Sequence, residues 1–216
     1  MDEMFRLFSL LIGYAFGCLQ FAYFFGKLKG IDIREHGSGN AGMTNVTRTM
    51  GFKFGGVVFL LDILKAMAAF FVATIVFGDM GDMFSGTSLA GLYAGFGAIL
   101  GHNFPFFMKF KGGKGVSCMA GVIIAFDWRV ALALFVISLA CLIIWRFISL
   151  CSLVIALMFP VSMVIFRAAF EFGTVYATEM IVLAAVIGVL CWFQHRGNIV
   201  RLAKGEERKF SFKRRK

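Results

Sequence analysis

The chain has 216 residues, 60% of them hydrophobic and 16% charged, with a net charge of +10 and a mean hydropathy of +0.84. A soluble domain carries about 25% charged residues and cannot hide this much apolar surface, so a conventional soluble enzyme and a disordered chain are both excluded. Cys18, Cys118, Cys141, Cys151 and Cys191 stand singly in apolar stretches, with neither metal-pair spacing nor a disulfide framework.

Apolar segments cover residues 4–26, 54–77, 88–108, 115–126, 129–146, 149–166 and 175–194. At ~20 residues per crossing, they predict an all-α integral membrane protein of about seven transmembrane helices. Residues 1–216 are expected to form a single transmembrane helical domain, with 208–216 as a basic tail. The acidic start, Met1-Asp2-Glu3, differs from a secretory signal, so the first segment reads as a retained helix. At 1.5 Å per residue, segment 115–126 reaches only ~18 Å, short of a ~30 Å hydrocarbon core. It extends into the preceding glycine loop, tilts or re-enters.

The basic residues sort sharply by side. With seven crossings, one side receives Lys27, Lys29, Arg34, Arg48 and Lys53, then Lys109, Lys111 and Lys114, then Arg146 and the nine from Arg196 onward. That is eighteen of 22; Arg6, Arg129 and Arg167 fall opposite, and Lys65 lies within a span. The C-terminus is therefore expected in the cytoplasm and the N-terminus outside. The acidic loop Gly78–Asp82 fits the external side.

Three polar islands fall on the cytoplasmic side. The first runs His36-Gly37-Ser38-Gly39-Asn40-Ala41-Gly42-Met43-Thr44-Asn45-Val46-Thr47-Arg48. Its glycines permit conformations in which backbone N–H groups converge on an anion, and Arg48 offers a fork for phosphate. The plainer reading is a flexible capped turn, but a turn does not require so many amides and hydroxyls. The second runs from Gly101-His102-Asn103-Phe104-Pro105 to Lys111-Gly112-Gly113-Lys114-Gly115. It is not a Walker A sequence, yet glycines interleaved with lysines can cradle a phosphate. Sidedness alone explains the lysines but not Gly112, Gly113 and Gly115. The third, His195-Arg196-Gly197-Asn198-Ile199-Val200-Arg201-Leu202, has helical spacing, with Gly205 as its stop. Anionic-lipid binding is its plainer reading.

A basic mouth rich in glycine, amide and hydroxyl groups suits a small phosphorylated substrate beside a lipid chain. Nucleic acid is not expected as a partner, because the aromatics lie in the spans rather than among the basic residues. Asp62 and Lys65, three apart in the second span, are expected to pair on one helix face or to support the first loop. Gly13/Gly17, Gly91/Gly95 and Gly97/Gly101 are small-residue pairs of the helix-packing kind. No His, Asp and Glu cluster has metal-ligand spacing.

Taken together, the islands resemble the bacterial membrane acyltransferases that acylate glycerol 3-phosphate from acyl phosphate. The family's GSGN-x-GATN with a following arginine stands as Gly37–Asn45 and Arg48. Its GHNFP…FKGGKGVAT stands at 101–118, and its third motif at His195–Leu202 with Gly205-Glu206. Met43 replaces the usual alanine, and Ser117-Cys118 the usual Ala-Thr.

The resemblance implies a seven-helix fold and transfer of a fatty acyl group to the 1-hydroxyl, giving 1-acylglycerol 3-phosphate and phosphate without a cofactor or metal. It implies Ser38, Arg48, Lys114, His195 and Asn198 at the reacting site. Gly37, Gly39, Asn40, Thr44, Asn45, Gly112, Gly113 and Gly115 would hold substrate or phosphate. Asp62, Lys65 and Glu206 would be structural supports. Its partners would be membrane lipid and an upstream acyl-phosphate-forming enzyme, and its place the bacterial inner membrane with the site facing the cytoplasm. The alternative activity is an organic-phosphate transporter, although such proteins hold substrate near the midplane between repeated halves and no internal repeat is visible.

Overall fold

The protein was analysed as a computed structural model that describes residues 4–78, 88–170 and 176–210, excepting the side chains of 166–170. The acidic residues of loop 79–82, the Arg167 side chain and the basic tail from 211 to 216 lie outside the described residues. All regular elements among the described residues are helical. The chain divides at Trp128 into two compact units, Met1–Trp128 and Arg129–Lys216.

The first unit contains α1 (Met4–Gly17), α2 (Phe21–Leu28), α3 (Met43–Met50), α4 (Phe52–Phe77), α5 (Leu89–Asn103) and α6 (Val116–Phe126). The second contains α7 (Trp128–Trp145), whose first residue ends the first unit, with α8 (Ile148–Phe170), α9 (Ala177–Gln194) and α10 (Arg196–Ala203). Among the described residues, five segments are long and apolar enough to cross a membrane: Met4–Leu28, Phe52–Phe77, Trp128–Trp145, Ile148–Ile165 and Ala177–Gln194. The chain is thus built as a multi-pass membrane protein. Helix α5 has 15 residues. Helix α6 has 11, a length of about 17 Å.

Glycines set the core of the first unit. Side chains at Gly13 or Gly17 would collide with the Ala94 or Ala98 carbonyl of α5, and side chains at Gly97 or Gly101 with the Leu10 or Tyr14 carbonyl of α1. The two helices therefore touch backbone to backbone, the close approach that small residues allow between helices in lipid. Gly91 packs on Phe70 and Thr74 of α4, and Gly95 on Val122 of α6.

The first apolar segment is broken at Cys18-Leu19-Gln20. A break inside an apolar bundle leaves carbonyls that need donors from elsewhere. Lys65 of α4 supplies them: Nζ donates to the carbonyls of Leu19 at 2.6 Å and Gly17 at 3.2 Å. Gln20 Nε2 donates to the Gly17 carbonyl at 3.2 Å and reaches across to the Gly101 and His102 carbonyls at 3.3 and 3.0 Å. The break is thus tied to the end of α5.

In the second unit, α8 packs against α9, where Gly188 lies against the Ala156 carbonyl. Trp192 Nε1 donates to the Leu153 carbonyl at 3.2 Å. Pro160 lies inside α8. Gly205, at φ 70°, follows the end of α10, in the left-handed conformation that glycine adopts after a helix.

Candidate functional site

The first island is a loop followed by a two-turn helix. Gly37 and Gly39 have φ of 63° and 70°, where other residues are strained. Asn45, buried at the start of α3, organises the turn. Its Oδ1 accepts the Ser38 N–H at 2.8 Å, while Nδ2 donates to the carbonyls of His36 at 2.9 Å and Ile33 at 3.0 Å. A side chain at Gly37 would strike Asn45 Oδ1. The Asn45 amide is therefore engaged inside the loop and shapes it, where sequence reasoning placed it on substrate. Ser38 and Arg48 are exposed, and Asn40 and Thr44 are half-buried.

Asp32 closes the base of this loop. It accepts the Arg34 N–H at 3.0 Å and grips the Arg34 guanidinium at 2.7 Å. Those Arg34 contacts hold the Asp32 carboxyl down at about 2, against the opposing pull of partial burial. Arg34 Nη1 also donates to the Met108 carbonyl at 3.3 Å, joining the first island to the second.

The second island turns back on its own helix. Gly112 and Gly113 donate their N–H groups to the carbonyls of Asn103 and His102, each at 3.0 Å. A side chain at Gly112 would meet the His102 carbonyl, one at Gly113 the His102 ring and the Ala41 carbonyl, and one at Gly115 the Asn103 side chain. These glycines thus serve close approach, and two of their amides already have partners within the fold. Gly112 and Gly113, expected to hold substrate phosphate, give these amides to the fold and set the path of half-buried Lys114. Because Gly113 lies against Ala41, the two islands adjoin in the first unit.

Beneath them lies a buried cluster. Lys65 Nζ is 2.8 Å from Asp62 Oδ1, the i,i+3 pair on one face of α4, and 3.0 Å from His102 Nδ1. His102 Nδ1 is 3.6 Å from Asp62 Oδ1. Asp62, His102 and Cys118 bring donor atoms within 4.8 Å of one another, but the Lys65 ammonium already contacts the first two. The cluster therefore holds an internal cation. Cys118, the departure from the usual threonine, sits fully buried here.

The second unit carries the third island. His195, between α9 and α10, is 3% exposed. Its Nδ1 is 2.8 Å from the Cys191 carbonyl, an acceptor only, so this nitrogen carries a proton. Asn198 Nδ2 donates to Glu207 Oε1 at 2.8 Å, Ser149 Oγ donates to the same oxygen at 3.0 Å, and Arg201 Nε donates to Oε2 at 2.8 Å. Burial pushes the Glu207 carboxyl upward, but these bonds outweigh it and hold the group below its ordinary range. These contacts are made by the neighbour of Glu206, the residue expected as a support. Glu206 is exposed and turns outward after Gly205, while the next side chain turns in.

Residues 7–205 match the family model described as glycerol-3-phosphate acyltransferase. The chain belongs to the glycerol-3-phosphate acyltransferase family. It is similar to the enzyme of that name from Aquifex aeolicus (strain VF5), 38% identical over 204 residues, covering 94% of this chain and 98% of the relative. It is also similar to that of Thermotoga petrophila, 39% identical over 206 residues, covering 94% and 96%. Among solved structures it resembles PlsY (YgiH), an integral membrane glycerol 3-phosphate acyltransferase, in its glycerol 3-phosphate form. That match has a TM-score of 0.81 at 36% identity and covers 95% of this chain and 96% of the other. The lysophosphatidic acid form of PlsY gives 0.79 at 36% identity, covering 95% of each.

Sequence reasoning missed Gln20, His102 and Glu207 as parts of the scaffold of this fold. A glutamine beside a helix break carries no local signal of its long-range role. His102 lies within a quoted motif, but only the fold brings it to Lys65. Glu207 and Glu206 are neighbours beyond the helix end, and only the fold shows which of them turns inward.

Proposed function

We propose that this family member transfers a fatty acyl group from acyl phosphate to the 1-hydroxyl of glycerol 3-phosphate, releasing 1-acylglycerol 3-phosphate and inorganic phosphate. The observation that carries the reading is the family match over 7–205. Its support is the meeting of the Ser38–Arg48 loop with the Lys114 loop at Gly113. The solved relative takes glycerol 3-phosphate and lysophosphatidic acid forms, the acceptor and product of this reaction.

The hydroxyl oxygen attacks the acyl carbonyl carbon, the bond from that carbon to the phosphate oxygen breaks, and phosphate leaves with the electron pair. Arg48 and Lys114 neutralise the substrate phosphates, and Ser38 with the half-buried Asn40 and Thr44 orients them. His195, or a substrate phosphate oxygen, takes the hydroxyl proton. Asn198, fixed by Glu207, is the remaining reacting-site residue. Because phosphate is a good leaving group, positioning and charge stabilisation supply most of the acceleration, and no acyl-enzyme forms. The reaction takes place at the cytoplasmic face of the bacterial inner membrane, fed by an enzyme that makes acyl phosphate.

The test is a donor comparison on detergent-purified protein. Palmitoyl phosphate supports product formation, while palmitoyl thioesters of coenzyme A or a carrier protein do not. Trapping a covalent acyl group on Ser38 would overturn the direct-transfer step.

A further inference from the structure

We infer that His102 is a positioning residue, held by Lys65 as the tautomer protonated on Nε2 and buttressing the loop segment that carries Lys114. The inference rests on the reading that Lys114 meets a substrate phosphate.

Lys65 Nζ has four neighbours: the Leu19 carbonyl at 2.6 Å, Asp62 Oδ1 at 2.8 Å, His102 Nδ1 at 3.0 Å and the Gly17 carbonyl at 3.2 Å. The ammonium has three N–H donors, which serve the two carbonyls and His102 Nδ1, while Asp62 Oδ1 makes an ion-pair contact without a hydrogen bond. Two donors cannot face each other across 3.0 Å, so His102 Nδ1 is the acceptor and the ring proton sits on Nε2. Lys65, Asp62 and His102 are all nearly inaccessible, at 4%, 1% and 3% exposure, so water does not relax this arrangement.

The other edge of the ring faces the loop. The position of a Cβ at Gly113 is taken by His102 Nε2, with Cδ2 2.8 Å away and the Ala41 carbonyl 2.7 Å away. The His102 carbonyl accepts the Gly113 N–H at 3.0 Å and Gln20 Nε2 at 3.0 Å. One residue thus meets Gly113 through both ring and backbone, immediately before Lys114. Its ring orientation is set by an ammonium that also closes the α1–α2 break. Releasing the ring from Lys65 lets the loop wander, so phosphate binding suffers before the chemistry does.

Asparagine at 102 can place an oxygen where Nδ1 accepts from Lys65, whereas glutamine reaches toward Nε2 and leucine offers neither atom. Steady-state kinetics on His102→Asn, His102→Gln and His102→Leu in detergent therefore separate positioning from bulk stability. In the leucine and glutamine variants, the expected result is a KM raised roughly tenfold for one phosphorylated substrate, the loss of one charge-assisted hydrogen bond. Their kcat and the KM for the other substrate change little. The asparagine variant stays close to the wild type. Equal kinetics in all three, or a uniform fall in kcat with both KM values intact, overturns the inference.

Nitrogen-15 spectra of histidine-labelled wild-type protein supply a reading that needs no variant of His102 to fold. At neutral pH the ring must show a protonated Nε2 and a bare Nδ1, and Lys65→Met combined with Asp62→Asn must abolish that preference. A ring protonated on Nδ1 contradicts the inference. Wild-type protein that makes no acylated product from acyl phosphate refutes the proposed function instead, and leaves the tautomer measurement to decide the Lys65–His102 contact.

Discussion

Asp32 and Arg34 illustrate how the site is held at the level of single residues. The guanidinium keeps the Asp32 carboxyl at about 2, well below the usual carboxylate range. A carboxylate with a folded pKa below its unfolded one adds stability in full above the unfolded value, and loses it as the pH falls through the folded one. The thermal-stability gap between wild type and Asp32→Asn in detergent should therefore be flat from about pH 7 to 5 and close between about pH 4 and 2. A gap that widens on acidification would contradict this. The proposed function puts Arg48 and Lys114 on the substrate phosphates, so Arg48→Ala and Lys114→Ala should each lose roughly tenfold or more in turnover while the protein still inserts. Near-normal rates would remove those residues from the site. Glu207→Gln takes the charged acceptor from Asn198, Arg201 and Ser149, and activity should fall further than in Glu206→Gln. At this scale a motif names its own residues, as for Ser38, Arg48 and Lys114, and the substitutions test the roles proposed for them. The sequence was opaque where a role depends on which side chain turns inward, as for Glu207, or on whether an amide bonds its own loop, as for Asn45.

At the scale of elements, the α1–α2 break and the α1–α5 crossing decide whether the first unit forms. Lys65→Met removes the donor for the Gly17 and Leu19 carbonyls and leaves Asp62 charged and buried. Loss of one partner of a buried pair costs about 3–5 kcal/mol, so this variant should yield much less folded protein than Lys65→Met combined with Asp62→Asn. Yield after size-exclusion chromatography checks it. Gly13→Leu pushes a side chain into the Ala94 carbonyl and should cost at least about 2 kcal/mol through overpacking, read as a lower melting temperature in detergent. Hydropathy revealed the apolar segments to within a few residues, because a long apolar run has few other uses. It could not reveal the break at Cys18-Leu19-Gln20, whose stabilising donors come from α4. Nor could it reveal α3, whose eight polar-rich residues read as part of a glycine loop.

For the whole molecule, apolar composition directs the chain to a membrane, and the orientation proposed for it rests on the sorting of its charges. Most cations cluster around the islands, and single reporter cysteines near Lys53 and Lys204 should react with impermeant reagents from the cytoplasmic side only. Labelling from the outer side would reverse the sidedness. The division into two units at Trp128 is not marked in the sequence by a linker, since α6 and α7 follow each other across Asp127 alone. The central claim is acyl transfer to glycerol 3-phosphate, and one measurement tests it most directly. Purified protein in sealed vesicles is given palmitoyl phosphate and labelled glycerol 3-phosphate, and the label is followed into lipid and into the vesicle lumen. The account predicts labelled 1-acylglycerol 3-phosphate, one inorganic phosphate per product and no dependence on coenzyme A. Label accumulating inside the vesicles as unchanged glycerol 3-phosphate, with none in lipid, would contradict it and make the protein a transporter.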